Sequence, residues 1–306
     1  MSWRRVAPLV LIAGLALATP QAFVVSASEA DPAEPAARTE PLPTAPILGM
    51  PAPPPPPAEL DGELEQGGWI RGVLPPGAVS ATFGGEPIAV DNRRREFFIG
   101  LDRDTARSAE LVLEGPDGQT RKQTLSIAPR DWQIERVNVA KGTGGGSEAW
   151  WKKREPEWLA IRDARARETG AEGWRQDFIW PVTGRISGRF GRQRIYRGEP
   201  GSYHSGIDIA PGNGAPFVAP ADGTVVLART GFSLEGGIII LDHGAGLNSA
   251  FIHLSQLAVS EGDKVEQGQL LGNVGASGRA TGPHLHWSLM WRDARLDPLL
   301  FLPPMP

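Results

Sequence analysis

The chain has no cysteine. That excludes disulfide staples and any thiolate metal site. It has only two tyrosines, Tyr196 and Tyr203, and five histidines, all between positions 204 and 286. It has no His-Glu-x-x-His sequence, so a glutamate base of that type is not expected. It has no surplus of positive charge. Lysine and arginine number 31 against 35 aspartates and glutamates, a net charge of −4, which argues against nucleic acid as a partner. The apolar run Val6–Ala18 is shorter than the roughly 20 residues of a membrane-spanning helix. Beyond about residue 180 there is almost no helical period. That segment reads as strands with glycine-rich turns, an antiparallel sandwich or split barrel.

What is present is concentrated. Tyr203-His204-Ser205-Gly206-Ile207-Asp208 places a histidine and an aspartate four apart. His284-Leu285-His286 is a His-x-His, and His253 supplies a further imidazole between them. Side chains alternate along a strand, so His284 and His286 share a face, about 6.5–7 Å apart along it. His204 and Asp208 share parity too if their segment is extended, and Gly206 between them has no side chain to block a metal. Ser288 continues the polar face. Leu285, Trp287 and Leu289 take the opposite, core-forming face. Two imidazoles and a carboxylate make a three-ligand zinc site with an open fourth position. Two imidazoles then remain for proton transfer. His243, in Leu241-Asp242-His243-Gly244, reads as a structural residue of a tight hairpin turn.

These segments resemble the lysostaphin/LytM-type zinc endopeptidases of bacterial cell-wall metabolism, over roughly Trp180–Leu302. Val182–Gly191 matches the opening strand. His204–Gly223, Ile238–His253, Gly262–Gly272 and Gly275–His286 follow in the family's order. The resemblance implies one Zn2+ per chain held by His204, Asp208 and His286, with His253 and His284 catalytic. It implies an antiparallel β fold with the zinc at the floor of a groove. It also implies peptidoglycan stem peptides as the partner, cut at a cross-link such as D-alanyl–meso-diaminopimelate. Some family members have lost metal ligands and activate other wall enzymes, so a groove-binding activator of an amidase is the alternative reading. Five arginines, Arg185, Arg189, Arg192, Arg194 and Arg197, precede the first ligand. Guanidinium groups bind carboxylates well. Arg192 is a candidate for substrate binding, and Tyr196 and Tyr203 are candidate hydrogen-bond donors to an oxyanion.

The rest of the chain reads as an exported, mainly β protein. Met1–Arg5 is basic, Val6–Ala18 is apolar, and Val25-Ser26-Ala27 is small, so residues 1–27 are expected to be a signal peptide. Export to the periplasm follows, with a membrane anchor if the segment is retained. Residues 28–60 are a Pro/Ala-rich tether. Short strands with turn-like separators over 61–129 suggest a small immunoglobulin-like β sandwich. Residues 130–178 are a connector with a helix over Trp158–Glu168, Pro156 lying near its start. Trp150, Trp151, Trp158 and Trp174 are expected to dock it on the peptidase-like domain, 179–306. Whether it also acts as a lid is open.

Overall fold

The structure is a computed structural model and describes residues 52–141 and 146–306. The leader expected over 1–27, most of the tether and residues 142–145 of the connector lie outside those residues.

The tether ends sooner than its composition suggests. Pro55 and Ala58 are buried. The Pro55 carbonyl accepts from Arg121. Ala58 exchanges two hydrogen bonds, of 2.9 and 3.3 Å, with the Gln123 amide. With its backbone groups satisfied by side chains, the end of the proline run packs without a ladder of its own. Strand β1 (Glu59–Gly62) follows and pairs with β2 (Trp69–Val73). Next come β3 (Ser80–Phe83), β4 (Glu86–Pro87), β5 (Glu96–Gly100), β6 (Ser108–Glu114) and β7 (Thr120–Ser126). They form two antiparallel sheets, β1-β2-β5 and β4-β3-β6-β7. Ile70, Phe97, Ile99, Leu111 and Leu113 are fully buried in one core. Strand β4 stops at Pro87, and Val90 makes a lone bridge to Phe97.

The connector is more structured than expected. It carries β8 (Ile134–Val137), which no sequence pattern marked. Its helix α1 (Glu148–Arg165) begins ten residues before the expected start, and Pro156 lies inside it. The Ser147 hydroxyl caps the helix by accepting from the Trp150 N–H at 3.2 Å. Trp151 and Trp158 are exposed, so they do not dock the connector; among its tryptophans only Trp174 is fully packed. Ala160, Ile161 and Ala164 press α1 onto the sheet below, against Val226, Leu227, Ile238, Ile240 and Ala250. Arg154 adds a bidentate pair to Glu235 at 2.6 and 2.8 Å.

The remaining strands are β9 (Arg185–Gly188), β10 (Gln193–Tyr196), β11 (Glu199–Tyr203), β12 (Ile207–Ala210), β13 (Pro216–Val218) and β14 (Gly223–Phe232). After them come β15 (Gly236–Gly244), β16 (Leu247–Leu257), β17 (Lys264–Val265), β18 (Leu270–Val274), β19 (Leu285–Trp291) and β20 (Ala294–Leu296). Ten of the twelve form one antiparallel sheet. Its main path runs β17-β14-β15-β16-β19-β12-β9, with β13, β18 and β20 attached. Strands β10 and β11 form a hairpin, extended by β8 in parallel. As the alternation requires, Leu285, Trp287 and Leu289 are completely buried on one face of β19. The other face carries the polar residues.

Candidate metal centre and active site

The register of the sheet assembles the site. Asp208 on β12 pairs directly with His286 on β19. Direct cross-strand partners share a face. His204 enters from the end of the β10–β11 hairpin. Its backbone N–H donates to the Arg192 carbonyl at 2.8 Å, and its Nδ1 donates to the Arg189 carbonyl at 3.0 Å. That bond fixes the tautomer and leaves Nε2 facing the carboxylate.

Three atoms converge. His204 Nε2 is 3.0 Å from Asp208 Oδ1 and 3.1 Å from His286 Nδ1, and His286 Nδ1 is 2.9 Å from Asp208 Oδ1. A tetrahedral cation bound at about 2.0–2.1 Å sets its ligands about 3.3 Å apart, so this triangle fits one with little adjustment. Two nitrogens and one carboxylate oxygen are also the right donors. Burial opposes ionisation of Asp208. Hydrogen bonds from His204 and His286 outweigh it and hold the carboxyl well below the usual carboxylate range. Burial pulls His286 below the ordinary histidine value. For His204 burial is outweighed by the bond to Asp208, and its pKa rises.

His253 and His284 stand beside the triangle with their ring centroids 4.8 Å apart. Nε2 of His284 is 3.7 Å from Asp208 Oδ1. Each ring is oriented by a backbone carbonyl: His284 Nδ1 donates to Gly282 at 2.9 Å, His253 Nδ1 to Ser277 at 2.8 Å. Nε2 is then the free basic atom in both. Burial lowers the pKa of His253, so it is neutral near pH 7. Its backbone is unusual. Gly237 pairs with Leu254 and Ile238 with Ile252, which leaves His253 as the extra residue of a β-bulge, at φ +68°. A bulge re-aims a side chain. Holding a non-glycine residue there costs on the order of 1–2 kcal/mol.

Several positions differ from expectation. Gly206 is not needed to admit a metal. A Cβ there would lie 2.2 Å from the Trp287 carbonyl oxygen, so its bareness lets the chain pass against β19. The glycine that makes room for Asp208 and His204 is Gly188, where a Cβ would fall 2.2 Å from Asp208 Oδ2 and 3.1 Å from His204 Cε1. His243 is structural as read, but it lies in strand β15 rather than in the turn, which is Ala245-Gly246. It is fully buried, bonded to the Asp222 carbonyl and the Ser249 hydroxyl at 2.7 Å each.

The three candidate substrate-binding residues make local contacts. Exposed Arg192 lies 3.5 Å from Glu135, and its carbonyl positions His204. Tyr196 covers Gly201 within the hairpin. Tyr203 packs on Phe190 beneath the Arg103 guanidinium, 4.7 Å from its ring. The sequence reading missed Arg103 and Ser277. Arg103 comes from the N-terminal module, is almost fully buried, and donates to the Gly191 carbonyl at 3.2 Å. Ser277 was visible only as a small residue within Gly275–His286. Its hydroxyl bridges Gly237 N–H and the Leu254 carbonyl, at 2.9 and 2.7 Å, pinning the loop that orients His253.

The family model for peptidase family M23 matches residues 202–298, the span that holds all five histidines. This segment is a peptidase M23 domain. Over 125 residues the chain is 35% identical to the peptidoglycan DD-endopeptidase ShyA of Vibrio cholerae, covering 40% of this chain and 28% of that protein. Over 124 residues it is 33% identical to the murein hydrolase activator NlpD of Salmonella typhimurium, covering 40% of this chain and 31% of the relative. The chain thus spans under a third of each of these two relatives. The M23 fold likeness is wider. A crystal structure of a Pseudomonas aeruginosa protein assigned to peptidase M23 is 28% identical with a TM-score of 0.60, covering 78% of this chain and 95% of that one.

Proposed function

We propose that the chain is a zinc-dependent endopeptidase that hydrolyses peptide cross-links of bacterial peptidoglycan, at D-alanyl–meso-diaminopimelate bonds. The observation that carries this is the convergence of His204 Nε2, Asp208 Oδ1 and His286 Nδ1 beside the two carbonyl-oriented imidazoles of His253 and His284.

His204, Asp208 and His286 would hold the zinc. When bound, the ion supplies Lewis-acid polarisation of the scissile carbonyl and acidifies water. The protein's own residues do the rest. Asp208, ionised across the working pH range, contributes the negative charge of the ligand set. His253 is neutral at working pH with Nε2 basic, so it can accept a proton. His284 presents its Nε2 beside the first and can hold or return one. The pair thus divides two transfers: removal of the water's proton and its delivery to the leaving amine. The Ser277 and Gly282 carbonyls stabilise each ring when it is protonated. The strained backbone of His253 supports this reading, because strain persists where a side chain must be aimed.

We read the N-terminal module as an immunoglobulin-like unit that positions the hairpin before the first ligand, through Arg103. We place the protein outside the cytoplasm, in the periplasm, on the composition of residues 1–27 and the cell-wall roles named for its relatives. The alternative, a non-hydrolytic amidase activator, needs neither the ligand triangle nor the aimed His253. Zinc content measured beside muropeptide release from purified sacculi tests the choice.

A further inference from the structure

The polar face of β19 continues past the ligands. His284, His286, Ser288 and Met290 alternate along it, and the sheet rows crossing it define a groove. One row is Asp208–His286–Ile252, the ligand row. Four residues on, another row is Arg295–Met290–Asn248. The two rows are about 13 Å apart along the strand. Helix α1 reaches the second row through Arg165, which bonds Asn248, and a cleft of about 510 Å³ beneath it is lined by Arg165, Met290 and Arg295 together with Ser205, Glu235 and Ser288.

The charges in this cleft are unbalanced. Arg154 is matched by Glu235 and Glu157, and Arg162 by Asp163. Arg292 donates to the Pro87 carbonyl. Among the described residues, neither Arg165 nor Arg295 has a carboxylate within salt-bridge distance, although Asp293 lines the same cleft. Arg165 donates to the neutral Asn248 amide oxygen, and Arg295 sits over the Tyr203 ring at 5.4 Å. Burial, then repulsion from Arg295, pulls the Arg165 pKa down to about 10. Glu235 attracts Arg165 from beyond salt-bridge distance and the Asp102 carboxylate accepts from the Arg295 backbone N–H at 2.9 Å, so neither guanidinium is ion-paired and a ligand carboxylate would meet both.

We propose that Arg165 and Arg295 form a carboxylate-binding subsite, which holds a free carboxylate of the peptide substrate about three to four residues from the bond at the metal centre. This rests on the peptidase reading of the same groove. An extended peptide advances about 3.3–3.6 Å per residue, which sets that spacing. The helix is then a wall of the substrate groove: it contributes a specificity residue, and its bidentate anchor, Arg154 to Glu235, keeps that wall in place.

The test compares a cross-linked muropeptide dimer bearing free terminal carboxylates with the same dimer amidated, on the zinc-loaded full chain. Amidation is expected to raise KM about tenfold or more with kcat little changed, the loss of a charged hydrogen-bonded pair. Arg295→Gln and Arg165→Lys should each shrink that difference. Equal KM for the two dimers with the wild-type protein overturns the subsite. Binding of both dimers measured by calorimetry with chelator present is a second readout. If neither dimer is cut yet the carboxylate form still binds about tenfold more tightly, the peptidase reading fails and the subsite stands. If both dimers bind equally, the subsite fails whatever the turnover.

Discussion

Asp208 and His286 face each other across the β12–β19 register, Oδ1 to Nδ1 at 2.9 Å. His284, two residues earlier on the same face, stands 3.7 Å from the same oxygen. On the proposed mechanism the difference separates two roles within one His-x-His. Substituting His286→Ala should cut both zinc content and turnover. His284→Ala and His253→Ala should keep near-stoichiometric zinc and lose turnover by about 10²–10⁴-fold, the usual worth of a positioned acid or base. Metal analysis beside a cleavage assay checks all three. Zinc lost from His284→Ala but kept in His286→Ala would reverse the assignment.

His243 gives a stability signature independent of the metal. Burial lowers its pKa from about 6.5 to about 4. The folded state therefore resists a proton that the unfolded state accepts. The stabilisation is complete above about pH 6.5 and is lost as pH falls toward 4, on the order of 3 kcal/mol in all. Urea midpoints from pH 7.5 to 4.5 should fall more steeply for the wild type than for His243→Gln. Parallel slopes would show that another group is responsible.

The N-terminal module should matter to the site through one side chain. Arg103 donates to the Gly191 carbonyl and covers Tyr203 and Trp132, with ring distances of 4.7 and 5.1 Å. Arg103→Met should cost about 1–3 kcal/mol and lower kcat/KM by loosening the hairpin that carries His204, with zinc still bound at saturating metal. Thermal melting with a zinc titration measures the first effect, and a cleavage assay at saturating zinc measures the second. An unchanged zinc affinity and rate would confine Arg103 to packing.

The connector should be part of the core. Without α1, the apolar surface of Val226, Leu227, Ile238, Ile240 and Ala250 is exposed, and without β8 the hairpin loses its parallel neighbour. A fragment of residues 173–306 should therefore melt several degrees below residues 130–306, at about 2–4 °C per kcal/mol lost for a chain of this size. Equal melting temperatures, read by circular dichroism, would mean that the domain is complete by itself.

How much was legible follows from the range of each signal. The polar face of β19 could be read because alternation is local: His284, His286 and Ser288 on one side, Leu285, Trp287 and Leu289 on the other. The strands of the N-terminal module were legible at their turns for the same reason. The bulge at His253 was not, because it depends on which residue of β15 faces it. Gly188 was overlooked because its crowding comes from Asp208, twenty positions away in sequence and adjacent only through strand pairing. The start of α1 was hidden by Pro156. A proline usually marks a first turn, and here the Ser147 cap and the packing of Ala160, Ile161 and Ala164 outweigh its missing hydrogen bond. Arg103 reaches the site from a separate module, which no local pattern can report.

The most direct test of the central claim is digestion of purified sacculi by the protein lacking residues 1–27, with mass analysis of the released fragments. With about one zinc per chain, cross-linked dimers should fall and un-cross-linked muropeptides appear, cut at the D-alanyl–meso-diaminopimelate bond. Chelation should stop release, and added zinc should restore it. Unchanged cross-linking by folded, zinc-loaded protein, together with stimulation of an added amidase, would contradict hydrolysis and establish the activator reading.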